Sequence, residues 1–204
     1  MTENIQTALI SIIPFMFAVS LHEAAHAFVA NYLGDSTAKM EGRLSLNPIV
    51  HADVFGTLIF PIIGFMTGGF LFGWAKPVPV NERNLKWKKY GMFSVALAGP
   101  VTNILLALCF CVGLVLFHNN VLPTYQFHKP IFKMLEAGVY INVILAAFNL
   151  IPLPPLDGSR ILEPFLSYNL QQKMRVVEQY SFFILIGLMF TGVIGIIISP
   201  AMYI

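Results

Sequence analysis

The residues best placed to do chemistry begin with His22-Glu-Ala-Ala-His26. Two histidines at i and i+4 share one face of a helix, about 6 Å apart along its axis, so both imidazoles can reach one metal ion. Glu23 directly follows the first of them, where its carboxylate can contact a water on that metal. The pattern arises by chance in soluble helices, but here it interrupts an apolar run, Asn4–Gly34, whose single charged residue is Glu23. An unpaired glutamate at membrane depth costs about 2–3 kcal/mol or more, and such a group is a functional candidate by default. A catalytic zinc takes three protein ligands and keeps one position open for water. A candidate third ligand is Asp157, in Phe148-Asn-Leu-Ile-Pro-Leu-Pro-Pro-Leu-Asp-Gly-Ser-Arg160. Pro152, Pro154 and Pro155 break the helix before it and free the chain to turn inward. Irregular backbone at membrane depth persists only where protein or water satisfies it, typically around a site. Taken alone, Asp157-Gly158 reads equally well as a surface turn, since both residue types favour turns.

The elements that must position these groups follow from composition. Of 204 residues 57% are hydrophobic and 11% charged, against about 45–50% and about 25% in soluble domains. Besides the first run, Val54–Ala75, Gly91–Phe117, Ala137–Leu156 and Gln179–Ile204 carry no charge. Each is long enough to be a membrane-span candidate, since roughly 20 apolar residues cross a bilayer. A net charge of +2 without a basic stripe excludes a nucleic-acid binder. Cys109 and Cys111 form neither a CxxC pair nor a disulfide framework. The opening MTENIQ has no basic region before the first apolar run, which is therefore expected to be retained. The expectation is an all-α polytopic membrane protein, a single domain over 1–204 with about four to five transmembrane helices.

The second run differs from the rest. It holds Gly56, Pro61, Gly64, Gly68, Gly69 and Gly73 and continues into Phe72-Gly-Trp-Ala-Lys-Pro-Val-Pro-Val80, which reads as extended chain. If His22, His26 and Asp157 share a metal, the ends of the first and fourth runs lie on one side of the membrane. One crossing, the third run, then suffices between them, and the second run must return to the side it left. Core spans are thus expected at about 5–33, 91–117, 135–156 and 179–203, with a re-entrant segment at about 54–82. Loops 33–90 and 152–179 then carry ten of the twelve Lys and Arg residues. The positive-inside rule puts them, and the site, toward the cytoplasm. His22 lies about 15 Å before the end of its span near Tyr32, inside the bilayer.

Together, HEAAH, the Ala98-Gly-Pro-Val-Thr-Asn103 segment and FNLIPLPPLDG, in that order over nearly the whole chain, resemble the site-2 protease family of intramembrane zinc metalloproteases. The segments Gly42-Arg-Leu-Ser-Leu-Asn-Pro48, His51-Ala-Asp-Val-Phe-Gly-Thr57 and FGWAKPVPVN look like its small branch without a PDZ domain. The resemblance implies one Zn2+ per chain, held by His22, His26 and Asp157, with Glu23 as catalytic acid/base. It implies Asn149 as a donor to the oxyanion, and a packing or substrate-strand role for Asn103. Ser159 stands where the family often has a second glycine. The implied activity is zinc endopeptidase action on transmembrane segments of membrane-protein substrates, in regulated intramembrane proteolysis. The implied location is the bilayer, a bacterial inner membrane, with the site toward the cytoplasmic side.

His51 is an accessory candidate, as a gate or fourth ligand, although a lone loop histidine is more often simply hydrogen-bonded. Asn149 could instead cap freed backbone at a helix end, but a preorganised donor near the zinc better suits a tetrahedral intermediate. Phe72, Gly73, Trp74 and Ala75 are expected to guide substrate, because an exposed extended edge can pair with an unwound strand. A non-hydrolytic metal-binding scaffold or transporter is the main alternative, and it would make Glu23 replaceable. A metalloprotease of the class acting on prenylated termini would need a glutamate third ligand, for which Glu136 and Glu163 lack a supporting motif.

Overall fold

The computed structural model describes residues 2–67, 73–87, 89–119 and 128–203. Phe72 lies outside the described residues. Nine α-helices are described: α1 (Thr2–Tyr32), α2 (Thr37–Met40), α3 (Pro48–His51), α4 (Phe60–Thr67), α5 (Gly91–His118), α6 (His128–Asn149), α7 (Asp157–Leu162), α8 (Tyr168–Phe190) and α9 (Val193–Ile198). No strand occurs among the described residues. Three helices are long and apolar enough to cross a membrane: α1 from Leu9, α5 and α6. A fourth span results if α8 and the 193–201 stretch, bent by 78° at their junction, are taken together. Helices suit these runs because hydrocarbon offers no partner for backbone polar groups, and a helix satisfies them internally. The chain is an integral membrane protein.

The centre is a three-helix bundle of α1, α5 and α6 with small residues at its seams. On α1 these are Ala18, Ala24, Ala27 and Ala30, all buried. On α5, Gly91, Val95, Gly99, Asn103 and Ala107 recur every four residues, and Gly138, Asn142 and Ala146 do the same on α6. The i, i+4 spacing aligns them on one face of each helix. Lipid tails are as apolar as leucine, so membrane helices associate through close packing and interhelical hydrogen bonds, both of which small residues permit. Leu105, Leu108, Val112 and Val115 of α5 are instead exposed, as lipid-facing positions are.

Helix direction follows from which ends meet. Ala30 and Leu33 at the end of α1 cluster with Leu85 and with Val95 near the start of α5. Phe117, at the far end of α5, packs on His128 and Phe132 at the start of α6. α1 and α6 are therefore parallel, with α5 antiparallel between them. The segment between α1 and α5 leaves and returns at the same end of α1. Lys86 N–H donates to the Leu33 carbonyl at 2.9 Å. Buried Asp35 accepts from Thr37 N–H and Oγ1, from Asn81 N–H at 2.7 Å and from Asn84 Nδ2 at 3.0 Å. Burial works against its charge, but the hydrogen bonds from Thr37, Asn84 and Asn81 prevail and hold the Asp35 carboxyl below its usual range. Between those ends a π-helical turn, Val54–Ile59, opens on Asp53, whose carboxylate accepts from Phe55 N–H and Gly56 N–H, and leads directly into α4. Residues 73–80 then run back without regular secondary structure.

The last two long helices, α6 and α8, differ in extent from the spans read off charge alone. α6 begins at His128 and ends at Asn149, three residues before Pro152. α8 begins at Tyr168 rather than near Gln179 because its polar first turns are tied to α7 and the turn after it. Gln171 Nε2 donates to the Glu163 and Leu166 carbonyls, and Arg160 pairs with Glu178 at 2.8 Å. α8 ends at Phe190, and Gly192 follows with a φ of 75°, in the left-handed region that glycine adopts without a Cβ penalty. There the chain turns, and Ile194 and Ile198 pack on Ile151, Leu156 and Leu185 beneath the end of α6.

Candidate metal centre

One helical turn of α1 carries His22 and His26, 6% and 8% exposed. Their rings meet edge to face with centroids 4.7 Å apart. Each Nδ1 is committed elsewhere. His22 Nδ1 lies 2.6 Å from Asn103 Oδ1 on α5, an atom that can only accept, so the ring nitrogen donates. His26 Nδ1 donates to the Val95 carbonyl, also on α5, at 2.7 Å. In the neutral rings both Nε2 atoms are thereby left as lone pairs, and both point at one carboxylate. His22 Nε2 lies 3.1 Å from Asp157 Oδ2, and His26 Nε2 lies 3.5 Å from Asp157 Oδ1.

Lone pairs facing lone pairs repel unless a proton or a metal cation sits among them. Asp157 Oδ2 is buried and has no hydrogen-bond donor among the described residues. Tetrahedral zinc with bonds of ~2.0–2.1 Å separates its ligand atoms by about 3.3 Å, between the two separations here. The donor set, two imidazoles and a carboxylate whose outer nitrogens are already oriented, therefore fits zinc. Ligand atoms of His22, Glu23 and His26 also lie within 4.8 Å of one another.

Asp157 reaches this point because the chain turns sharply after α6. Asn149 closes the helix, the turn 150–156 carries Pro152, Pro154 and Pro155, and Asp157 opens α7. Gly158 tucks against the Leu150 and Ile151 carbonyls, where a Cβ would collide with backbone. Ser159 is buried and its hydroxyl donates to the Leu156 carbonyl at 2.7 Å, so the residue that departs from the family pattern serves the same turn.

Glu23 is held from the opposite side. Val78 N–H donates to Glu23 Oε2 at 2.9 Å. Pro77 and Pro79 have no N–H, so Val78 supplies the single backbone donor of that tripeptide. Two residues back, Lys76 N–H donates to the His51 carbonyl at 2.8 Å. Two further back, Trp74 N–H donates to the Gly56 carbonyl at 3.0 Å. Gly73, Trp74, Ala75 and Pro77 line a cavity of about 480 Å³ with His22, Glu23, Phe148 and Asn149. A second, more polar cavity of about 380 Å³ approaches His22, Glu23 and Asp157 past Glu82 and Arg160.

The remaining candidates separate. Asn149 faces both cavities, with one amide N–H on the Leu145 carbonyl at 2.9 Å. Asn103 contacts His22 directly, which residue spacing does not reveal across 81 positions. His51 is fully buried, its Nε2 donating to the Ser45 carbonyl at 2.8 Å, and it is not in the His22, Glu23 and His26 group whose ligand atoms lie within 4.8 Å of one another. Glu163 pairs with Arg160, and Glu136 lines a groove with Ile10 and Lys133 toward the other end of the bundle. Sequence reasoning did not single out the Val95 carbonyl, the Val78 N–H, Asn142 or Gly99. The four-residue spacing of Gly99, Asn103 and Ala107 on α5 was the available signal for the last.

Comparison with known proteins supplies an independent line. Residues 125–192 match the model of Peptidase family M50. The chain is 38% identical over 190 residues, 93% of its own length and 84% of the relative's, to a Bacillus subtilis protein named "Putative zinc metalloprotease YwhC". A Mycolicibacterium smegmatis protein named in the same words, with the label Rip2, is 30% identical over 182 residues, 87% of this chain and 65% of that one. A zinc metalloprotease of Methanocaldococcus jannaschii is 26% identical over 210 residues, covering the whole chain and 50% of that relative. No solved structure matches the chain significantly.

Proposed function

The chain belongs to peptidase family M50 and is a site-2 protease-like zinc metalloprotease, and from that premise we infer that it cuts transmembrane segments of other membrane proteins within the bilayer. The observation that carries this reading is the convergence of His22 Nε2, His26 Nε2 and Asp157 on one point inside an apolar bundle, with Glu23 beside it. His22, His26 and Asp157 would hold the zinc. When bound, zinc supplies a Lewis acid that activates water and polarises the scissile carbonyl. Glu23, held by Val78 N–H, takes a proton from the attacking water and delivers it to the leaving amine as the C–N bond breaks. Asn149 has a second amide N–H to offer the developing oxyanion. Water approaches through the polar cavity past Arg160, and substrate through the apolar one past Trp74.

The substrate class follows from the surroundings. The apolar cavity is lined by Val19, Leu145, Phe148, Phe182 and Leu185, which suit a hydrocarbon-like segment. The segment between α1 and α5 acts as a re-entrant element, and the ten-to-two distribution of Lys and Arg supports a site nearer the cytoplasmic face of a bacterial inner membrane. Cleavage of a tagged transmembrane substrate by the purified protein in lipid tests the reading. Chelation should abolish the cleavage and stoichiometric zinc should restore it. Cleavage that persists in metal-free protein would remove the proposal.

The 73–75 stretch guides the substrate strand. A helix hides its carbonyls, and groups freed by unwinding cost several kcal/mol each in lipid unless protein partners replace the lost bonds. Among the described residues the Ala75 N–H meets no hydrogen-bond partner, while its neighbours Trp74 and Lys76 are tied to the protein on the opposite edge. Ala75→Pro deletes that one donor and leaves those ties in place. Cleavage of a helical transmembrane substrate is expected to fall up to about tenfold, roughly the loss of one good hydrogen bond. A short, already extended peptide should be affected much less, with zinc content unchanged. Equal loss on both substrates, or no loss on either, would leave the stretch as a mere plug against α1.

A further inference from the structure

Asn142 lies on α6, a full helix away from the metal centre. It is completely buried, as is Asn103. The two side chains form a directed chain across the bundle. Asn142 Nδ2 donates to the Gly138 carbonyl at 2.8 Å, which turns its Oδ1 toward α5. Asn103 Nδ2 donates to that Oδ1 at 2.9 Å and to the Ala18 carbonyl of α1 at 3.2 Å. Asn103 Oδ1 is then the atom left facing His22 Nδ1, at 2.6 Å.

The direction of this chain matters more than its strength. An amide can be turned end for end at almost no steric cost, exchanging a donor for an acceptor. With NH2 facing His22, Nδ1 would have to accept, and the ring hydrogen would move to Nε2, the nitrogen aimed at Asp157. An imidazole with hydrogen on Nε2 offers no lone pair to a metal there. Two acceptors oppose that flip, the Ala18 carbonyl and Asn142 Oδ1, and the second is itself oriented by Gly138. We propose that Asn142 is a positioning residue that fixes the orientation of the Asn103 amide and, through it, the tautomer in which His22 presents Nε2 to zinc. The inference deepens the zinc-site reading and rests on it for its link to function. The tautomer itself can be read without metal.

The bland alternative is that Asn142 only joins α5 to α6, as buried polar residues in membrane helices do. The two differ in what a substitution moves. Asn142→Leu fills a similar volume and removes the acceptor. In metal-free protein carrying 15N-labelled histidine, read at a pH alkaline enough to keep the ring neutral, the His22 signals should shift from an Nδ1–H pattern toward a mixture. Apparent zinc affinity, from chelator competition, should fall about 10-fold or more, the usual scale for groups behind a ligand. Asn142→Asp keeps an oxygen facing Asn103, so it should restore the wild-type His22 pattern and bind zinc within about threefold of wild type. If the leucine variant does not fold, Asn142→Ala removes the same acceptor and is read in the same way.

An unchanged His22 tautomer in a folded acceptor-less variant would overturn the proposal, even if thermal stability fell. So would failure of Asn142→Asp to restore the pattern. His22→Ala, measured alongside, keeps the two readings apart. If it leaves zinc affinity intact, the zinc-site reading fails, whereas the tautomer result still decides the role of Asn142.

Discussion

Glu23→Gln is expected to abolish cleavage of a transmembrane substrate, by a factor of about 10² to 10⁴, while zinc content stays at the wild-type level. The substitution is nearly isosteric. A glutamine carbonyl can still accept from Val78 N–H, which the carboxylate now does at 2.9 Å. The ties of the extended chain to Gly56 and His51 lie outside the change. None of the three groups that converge on the metal position is altered. What disappears is a side chain able to take a proton from water and return it to an amine. Full zinc with lost cleavage, read by metal analysis and gel mobility of a tagged substrate on the same preparation, is the result expected of a peptidase. A metal-binding scaffold or transporter would tolerate the change. Cleavage within a few-fold of wild type would therefore remove Glu23 from the chemistry.

How far this site is legible in the sequence depends on the range of each interaction. His22 and His26 announce themselves because their relation is local, one turn of one helix. Asp157 is harder, since an Asp-Gly pair after prolines is also an ordinary turn. It becomes specific only beside the other two motifs. The return of the second run is legible through Pro77 and Pro79 and through the distribution of basic residues, because both are properties of the chain itself. The partners of these groups are not. Nothing near Val95 marks its carbonyl as the acceptor for His26, 69 positions away. Nothing near Val78 marks its N–H as the donor to Glu23, 55 positions away. Asn103 illustrates the same limit, since its motif implied packing or substrate contact whereas its amide holds His22. The start of α8 at Tyr168 was illegible for a related reason. Its first turns are polar, and hydrogen bonds to the neighbouring turn, rather than hydrophobic period, attach them to the bundle.

Gly99→Ala should lower zinc affinity by about 100-fold or more, the upper end of the range for changes just behind the ligands. The residue lies on α5 where that helix crosses the histidine pair. A Cβ built there would stand 2.5 Å from His22 Cε1 and Nε2 and 2.6 Å from His26 Cε1. Neither ring has room to yield. The Nδ1 atoms of both are anchored, to Asn103 and to the Val95 carbonyl, so a ring pushed off Gly99 must give up either its anchor or its aim at Asp157. Helix propensity works in the opposite direction, because alanine favours a helix over glycine by ~1 kcal/mol. Loss of zinc with helical content intact would thus isolate the steric effect. Gly113→Ala, on the same helix, is the matched control. Its Cβ would approach only the flexible end of Leu135, at 3.1 Å, far from the histidines. That variant should bind zinc like wild type and melt at the same temperature or slightly higher. Wild-type zinc affinity in Gly99→Ala would mean that α5 does not press on the two rings, and the idea that this contact fixes their aim would have to be abandoned.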